Sequence, residues 1–277
     1  MQSVKRWVKK HFGSFIFRRL KSSARKEELE DWLTRLNQSP LPVLSDASYN
    51  VFTYHGEDGI LLYLLSQLQD FPKTFVDIGA GDCIKGNFST LVVHYGWEGV
   101  FIDQNQQQLE VGRHFYKWKT RKGLFLKFLP ATVTKDNVNN LIRETGMNGK
   151  IGMLSIDIDG NDYWIWDAID VIQPQIVIIE AKVEFGNKSI TVPYGTANHH
   201  TVDEMFNGAS VEALRKLGVK KGYKLAGANK QGYNLFFVRR DAGNIPETTA
   251  ELVLNNSETK KSFYPESFFS NHKFKSI

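Results

Sequence analysis

The sequence has almost none of the residue that would tie a fold together covalently or hold a metal cluster. It contains a single cysteine, Cys83, among 277 residues. One cysteine can form neither a disulfide within the chain nor a metal site built from several cysteines, so the composition indicates a reducing compartment. We therefore predict a cytoplasmic protein.

Long apolar runs are also lacking. No stretch approaches the roughly 20 consecutive apolar residues that a helix needs to cross a bilayer. The short apolar run 15–17 falls short of the core of a signal peptide. The sequence therefore predicts a protein without a membrane-spanning segment.

Acidic residues are absent from the first 26 positions. That segment carries nine of the 35 basic residues, which leaves 26 basic and 30 acidic side chains for the remainder. The body is therefore not basic, which argues against a nucleic-acid partner. Apolar residues recur three or four positions apart within residues 1–26, the pattern of an amphipathic helix. Such a helix could lie peripherally on the inner face of the membrane, act as a transit peptide, or pack on the body or on a second copy in a homo-oligomer.

The fold is indicated by apolar runs of strand length that alternate with helical patterns. The predicted strands lie near 74–78, 99–103, 124–129, 151–157, 175–180, 223–227 and 234–239. The alternation is typical of a parallel sheet covered by helices on both faces. Only a short polar link separates the last two strands, so they should form an antiparallel hairpin. We predict an α/β fold with a doubly wound, mostly parallel seven-stranded sheet and a C-terminal antiparallel hairpin.

The chain is accordingly divided into three parts. Residues 1–48 form the basic helical arm and a linker, residues 49–245 form the sheet domain, and residues 246–277 form a tail. The tail should pack loosely or on a partner, because its polar run 255–261 and its scattered aromatics show no regular periodicity.

A glycine turn follows the first predicted strand in the segment 76–82. Gly79, Ala80 and Gly81 lie where the backbone must turn sharply and let a ligand approach. The third glycine of a dinucleotide fingerprint is missing, because Ile84 takes its place.

Two acids flank this turn. Asp77 and Asp82 would repel a pyrophosphate but attract a cation. S-adenosylmethionine carries both a sulfonium and an ammonium group. These residues therefore predict S-adenosylmethionine as the cofactor.

Further cofactor contacts are predicted at the ends of the next strands. Asp103 ends the second predicted strand, where a carboxylate can accept hydrogen bonds from both ribose hydroxyls. Gln104 and Asn105 follow it, at the position for contacts with the adenine edge. We also predict that Thr132, just past the third strand, and Asp157, at the end of the fourth strand, contact the cofactor.

Several motifs resemble those of the FkbM-like class I S-adenosylmethionine-dependent methyltransferases over about residues 50–240. The matching segments are 55–59, 77–81, 155–163, 177–180, 208–210 and 232–239. The resemblance implies the class I methyltransferase fold and methylation of hydroxyl groups on sugars, glycans or other natural products. It also implies that Glu57 binds the ammonium group of the cofactor. In that family the segment after the fourth strand reads Asp-x-Glu-Gly-x-Glu, and here Asp159 and Asp162 replace the two glutamates.

Crowded carboxylates at the end of the fourth strand allow two chemical roles. Asp159 or Asp162 could act as the general base that takes a proton from the substrate hydroxyl. Alternatively, Asp157, Asp159 and Glu180 could hold Mg²⁺, which would lower the pKa of that hydroxyl. Both of the shortened acids could instead cap the following helix.

A histidine is the other candidate base. His199 lies in a loop after the fifth strand, and histidine titrates in the useful pH range.

Taken together, the glycine turn, the acids and the resemblance predict a methyltransferase that transfers a methyl group to a hydroxyl of a sugar, glycan or natural product. The alternatives are a methyltransferase acting on another small molecule and a non-catalytic protein that binds an adenosine ligand and carries a membrane-associated arm.

Overall fold

A computed structural model describes residues 24–38, 43–196, 206–259 and 263–277. The chain divides into two units between residues 41 and 42. In the first unit, helix α1 spans Ala24–Leu36, with Glu27 in its first turn and Arg35 in its last, as the helix dipole favours.

The predicted amphipathic helix of residues 1–26 lies outside the described residues except for positions 24–26. No helix in the described parts of the chain has the length and apolar character needed to cross a bilayer.

The second unit is built on a seven-stranded sheet with the order β3-β2-β1-β4-β5-β8-β7. The strands of the second unit are β1 (Thr74–Ile78), β2 (Glu98–Asp103), β3 (Leu126–Pro130), β4 (Gly149–Ile156), β5 (Ile172–Glu180), β6 (Ile190–Thr191), β7 (Tyr223–Ala228), β8 (Asn234–Arg239) and β9 (Lys275–Ser276). Strands β1 to β5 are parallel, whereas β8 runs antiparallel to both β5 and β7. The predicted α/β fold with its terminal hairpin is confirmed.

Helices cover both faces of this sheet. They are α2 (Glu57–Ser66), α3 (Ser89–Tyr95), α4 (Gln106–Lys119), α5 (Val138–Glu144), α6 (Asp162–Ala168), α7 (Val211–Lys220), α8 (Ala250–Asn256) and α9 (Glu266–Asn271). Successive strand residues point to opposite faces, so alternate residues of β1 serve two cores. Val76 and Ile78 belong to the core that includes Trp166 and Leu214 of α6 and α7. Phe75 stacks on Phe88 with ring centroids 4.3 Å apart, in the other core.

Strand register places the carboxyl ends of the parallel strands at one edge. Ile78 pairs with Ile102 of β2 and with Ile156 of β4, and Ile156 pairs with Ile179 of β5. The residues that come next on each strand therefore share that edge, where doubly wound sheets bind their ligands.

The last part of the chain packs on the body in the structure, whereas the sequence predicted a tail that packs loosely or on a partner. Val253 and Leu254 of α8 are buried in the main core. Phe268 and neighbouring aromatics join Phe185 and Phe206 in a second, smaller core. Strand β9 then pairs antiparallel with β6. The scattered aromatics hold residues 263–277 in place because they meet aromatics from a distant part of the chain.

Candidate functional site

The glycine turn after β1 has one crowded face and one open face. Gly79 has a φ of 83°, and a Cβ there would lie 1.6 Å from the carbonyl oxygen of Asp157. The first glycine is therefore required for the close approach of the turn to the end of β4. Gly81 has a φ of 51°, and a Cβ there would meet nothing within 4 Å. A ligand can approach the backbone at Gly81 without an obstructing side chain.

Asp103 fixes the shape of this turn from the end of β2. Its Oδ2 accepts a hydrogen bond from the Gly81 N–H at 2.8 Å, and its Oδ1 accepts one from the Asn105 N–H at 2.7 Å. Each carboxylate oxygen has a second lone pair that can accept a ribose hydroxyl. The predicted ribose ligand therefore also orders the glycine turn.

The side chains next to Asp103 play different parts. Asn105 caps helix α4, because its Oδ1 accepts from the N–H groups of Gln107 and Gln108 at 3.1 and 3.2 Å. Gln104 is exposed at the same edge. The Asn105 side chain is thus engaged by the helix, whereas Gln104 is exposed, and contacts of either residue with an adenine stay a prediction.

The outer predicted contacts, Asp82 and Thr132, lie on the loops around the turn. Asp82 Oδ1 accepts from the N–H groups of Ile84 and Lys85 at 2.9 and 3.1 Å, which turns the chain toward helix α3. Its other oxygen lies 3.8 Å from the Lys85 ammonium. Thr132 has an exposed side chain, and its carbonyl accepts from the Asn137 amide at 3.0 Å. Asp82 is thus partly committed to the loop, whereas the Thr132 hydroxyl remains accessible.

Asp77 is buried directly beneath the glycine turn. Burial first, and then the nearby Asp157 and Asp103 carboxylates, raise the pKa of its carboxyl to about 8, although a hydrogen bond with Ser155 opposes the shift. The Ser155 hydroxyl is itself positioned by the Asn87 amide at 3.1 Å. A cation placed above the turn would favour the ionised form of Asp77.

Three further carboxylates converge at the ends of β4 and β5. The oxygens of Asp157, Asp159 and Glu180 lie within 4.8 Å of one another. Asp157 and Asp159 are open to solvent and Glu180 is partly buried. Within the described residues, none of the three accepts a hydrogen bond from a protein group. The structure therefore brings together the predicted metal ligands as an acidic cluster without protein donors.

Crowding changes the acidity of two members of this cluster. Desolvation first, and then repulsion from Asp162, Asp159 and Glu57, raise the pKa of Asp157 to about 7. Desolvation first, and then repulsion from Asp157, Asp162 and Asp159, raise the pKa of Glu180 to about 9. Part of the Asp157 residue is exposed to solvent, whereas its carboxylate is surrounded closely enough by protein for desolvation to be the largest cause of the shift. The cluster can hold a proton or a cation between its carboxylates.

Among the described residues, and unlike the three carboxylates of the cluster, Asp162 accepts hydrogen bonds from the protein. It is buried, and its two oxygens accept hydrogen bonds from the N–H groups of Ile158 and Gly160, both at 2.9 Å. Asp162 therefore braces the turn between β4 and α6, and its role as a general base stays a prediction. Asp159 stands on that turn with a φ of 56°, a left-handed conformation that is strained for a residue other than glycine and is frequent at functional sites.

Glu57 is likewise committed to the protein. Its Oε1 accepts from the side-chain amides of Asn229 and Asn234 at 2.8 and 3.0 Å, and its Oε2 accepts from the His55 N–H at 3.1 Å. This buried carboxylate ties the start of α2 to the β7–β8 hairpin. Glu57 therefore has a positioning role in the structure, and the ammonium contact implied by the resemblance stays a prediction.

His199 lies outside the described residues, so the structure does not place it. The loop that leads toward it is held near the acidic cluster. Asn161 Oδ1 accepts from the Gly195 N–H at 3.2 Å, and Trp164 Nε1 donates to the Val192 carbonyl at 2.9 Å. Residues 192–196 therefore run beside the turn that carries Asp159.

Several positioning residues carried no signal in the sequence. Asn229 and Asn234 are 172 and 177 residues from the Glu57 carboxylate that they contact. Ser155 and Asn87 are separated by 68 residues. No spacing rule connects such pairs, and only the folded chain brings them together.

Comparison with known proteins finds similarity in solved structures only. Magnesium protoporphyrin IX methyltransferase from Synechocystis PCC 6803, with bound S-adenosylmethionine, is 12% identical and aligns over 85% of this chain and 97% of its own, with a TM-score of 0.44. An S-adenosylmethionine-dependent methyltransferase from Clostridium acetobutylicum ATCC 824 is 11% identical over 66% of this chain and 90% of its own, with a TM-score of 0.41. The CurJ carbon methyltransferase is 9% identical over 73% and 57%, with a TM-score of 0.43.

No family model matches the sequence, and no curated protein matches it significantly. The strand order and the terminal hairpin, rather than these distant alignments, establish the fold.

The buried acids predict a pH-dependent stability. The pKa values of Asp77, Asp157 and Glu180 are raised to about 8, 7 and 9, above the roughly 4 of an unfolded chain. The native state therefore binds more protons than the unfolded state between about pH 4 and 9, and stability falls as pH rises through that range.

Asp77→Asn should make this pH profile shallower and raise the Tm at pH 9 more than at pH 5. Thermal unfolding across the range measures the effect, with Asp46→Asn, at an exposed site, as the matched control. A wild-type Tm that rises steadily from pH 5 to 9 would contradict the assignment.

Proposed function

We propose that the protein is an S-adenosylmethionine-dependent methyltransferase. The observation that carries the proposal is the edge of the sheet at Gly81, where an open glycine turn is surrounded by carboxylates. The acids on β1, β2, β4 and β5 would favour a ligand with positive charge. Because S-adenosylmethionine combines an adenosine group with a sulfonium and an ammonium, it suits this edge better than a dinucleotide does.

Each part of the cofactor has a candidate partner. The ribose hydroxyls would bind Asp103, and the adenine would lie near Gln104 and Thr132. The amino-acid part would lie over the turn of Gly79, Ala80 and Gly81, with Asp77 and Asp157 supplying negative charge. Asp82 would contribute charge at the outer rim of the turn.

For the acceptor we propose a hydroxyl group of a sugar, glycan or natural product, as the FkbM-like motifs imply. Asp159 is the proposed general base, because its carboxylate is open to solvent and is bound by no described donor. It would take the hydroxyl proton as the oxygen attacks the methyl group. Methylation of another small molecule, at nitrogen or oxygen, is the closest alternative.

A divalent cation is a second way to activate the hydroxyl. Asp157, Asp159 and Glu180 supply oxygen ligands of the kind that Mg²⁺ prefers, and their spacing suits one ion. When bound, the ion would lower the pKa of the acceptor hydroxyl.

The alternative to an enzyme is a non-catalytic protein that binds an adenosine ligand. The single cysteine is consistent with our proposal of a cytoplasmic location.

Calorimetric titration tests the cofactor proposal. Wild-type protein should bind S-adenosylmethionine and its demethylated product, with no comparable binding of NAD. Asp103→Ala should weaken binding by about tenfold or more, because it removes the ribose ligand. It should also lower the free energy of unfolding by about 1–2 kcal/mol, since the Gly81 and Asn105 N–H groups lose their acceptor.

The control for lost stability is Thr249→Ala, which removes the side-chain cap of the distant helix α8. It should cost about 1 kcal/mol and leave cofactor affinity unchanged. Absence of S-adenosylmethionine binding to wild-type protein, or normal affinity in Asp103→Ala, would contradict the proposal.

A further inference from the structure

A second acid-free segment lies within the body of the protein. Between Glu110 and Asp136 the chain carries seven basic residues and no acid. The net charge of the body does not reveal that this segment is basic, because acids elsewhere in the body outnumber its cations. Unlike residues 1–26, it lies entirely in the described structure.

The densest part of this segment, Lys117–Lys122, lies far from the candidate active site. Helix α4 begins beside Asp103 at the cofactor edge and ends at Lys119 near the opposite edge, where β3 starts. Its 14 residues span about 20 Å. Anything that binds Lys117–Lys122 would therefore leave the cofactor edge free.

An exposed tryptophan stands in the middle of these cations. Trp118 is 82% exposed, and Phe125, directly before β3, is 44% exposed. In contrast, Trp97 and Trp166 are 2% and 1% exposed. A large apolar ring held in water between cations marks a contact surface. We call Lys117–Lys122 together with Phe125 the basic aromatic edge.

Helix electrostatics explain only part of this composition. Lys117 and Lys119 lie in the last turn of α4, where cations stabilise the helix dipole. Arg121 and Lys122 lie beyond the helix, and Trp118 carries no charge. Among the described residues, no carboxylate lies within ion-pair distance of Lys117, Arg121 or Lys122. Three cations of this edge are therefore available to an external anion.

We propose that the basic aromatic edge docks the protein on an anionic membrane surface. Tryptophan favours the interface between headgroups and acyl chains, and each nearby lysine or arginine adds attraction to anionic lipid. The cations lie within four residues of the exposed Trp118, at a helix end, which suits shallow insertion into an interface. A single-stranded nucleic acid would instead need a row of cations with several exposed rings along it.

The test uses the full chain with vesicles of phosphatidylcholine, alone or mixed with phosphatidylserine. Lys117→Gln combined with Lys122→Gln should weaken binding to the mixed vesicles by roughly tenfold or more, and added salt should weaken wild-type binding. The matched control is Lys230→Gln combined with Lys273→Gln, which removes the same charge from two other exposed sites on the body and should have little effect. Equal losses in the two double variants would overturn the proposal, because net charge alone would then explain them.

A second measurement separates this edge from the basic residues 1–26. Lipids with brominated acyl chains quench tryptophans that enter the interface, so wild-type protein should lose part of its fluorescence on the mixed vesicles. Trp118→Phe should remove a distinct share of that quenching while keeping an apolar ring at the site. Quenching that is the same in both proteins would overturn the proposal, as would tighter binding of wild-type protein to single-stranded RNA than to the vesicles.

Discussion

Gly79→Ala is expected to destabilise the protein by about 3 kcal/mol or more, a large part of the stability of a typical domain. The new Cβ would lie 1.6 Å from the Asp157 carbonyl oxygen, so the end of β4 would have to move. The φ of 83° adds strain of about 1–2 kcal/mol for an alanine. Urea denaturation measures the loss directly.

Gly81→Ala is the matched comparison, because the same methyl group is added two residues away in open space. We expect it to cost only about 1 kcal/mol of stability, from its φ of 51°. Its methyl group would occupy the approach to the backbone, so S-adenosylmethionine affinity should fall by about tenfold or more. Normal affinity in Gly81→Ala would mean that the cofactor does not contact this turn.

Asp159→Asn is expected to lower methyl transfer by about 10²-fold or more while leaving cofactor affinity and stability nearly unchanged. The Asp159 carboxylate accepts no hydrogen bond among the described residues, so the amide disturbs little of the fold. Turnover is followed as S-adenosylhomocysteine formed with a panel of glycan, sugar and amine acceptors. A chelator separates the two roles, because only a metal site would lose wild-type activity on its addition.

Asp162→Asn provides the contrast within the same turn. It removes one carboxylate oxygen that accepts from Ile158 or Gly160, so we expect a loss of about 1–3 kcal/mol in the free energy of unfolding. Near-normal turnover in Asp159→Asn, together with a severe loss in a still-folded Asp162→Asn, would reverse the assignment of base and brace.

Asp159 and Asp162 differ in a property that the sequence could not predict, namely which of the two carboxylates is bound by backbone N–H groups. Both follow a buried strand, and both are carboxylates on a tight turn, so their positions gave them equal standing as bases. The backbone path then directs two N–H groups at Asp162 and none at Asp159. That difference depends on the left-handed conformation at Asp159, which the sequence does not specify.

The hydrogen-bond partners of Glu57 were also not predictable from the sequence, because they lie far from it along the chain. The sequence placed it near the cofactor, and the repulsion it exerts on Asp157 agrees with that location. Its partners Asn229 and Asn234 come from the β7–β8 hairpin, 172 and 177 residues later in the chain. Hydrogen-bond partners so distant in sequence follow no periodic pattern, so a buried brace could not be distinguished from a cofactor ligand.

The sequence alone determined the seven strands of the main sheet, the terminal hairpin and the edge that carries the acids. These features follow from local hydrophobic periodicity and from the rule that parallel strands end at one edge. The tertiary structure decided which carboxylates are free, because it sets where backbone and amide donors point. It also revealed the exposure of Trp118, since helical spacing locates the side chain but does not show whether another element covers it.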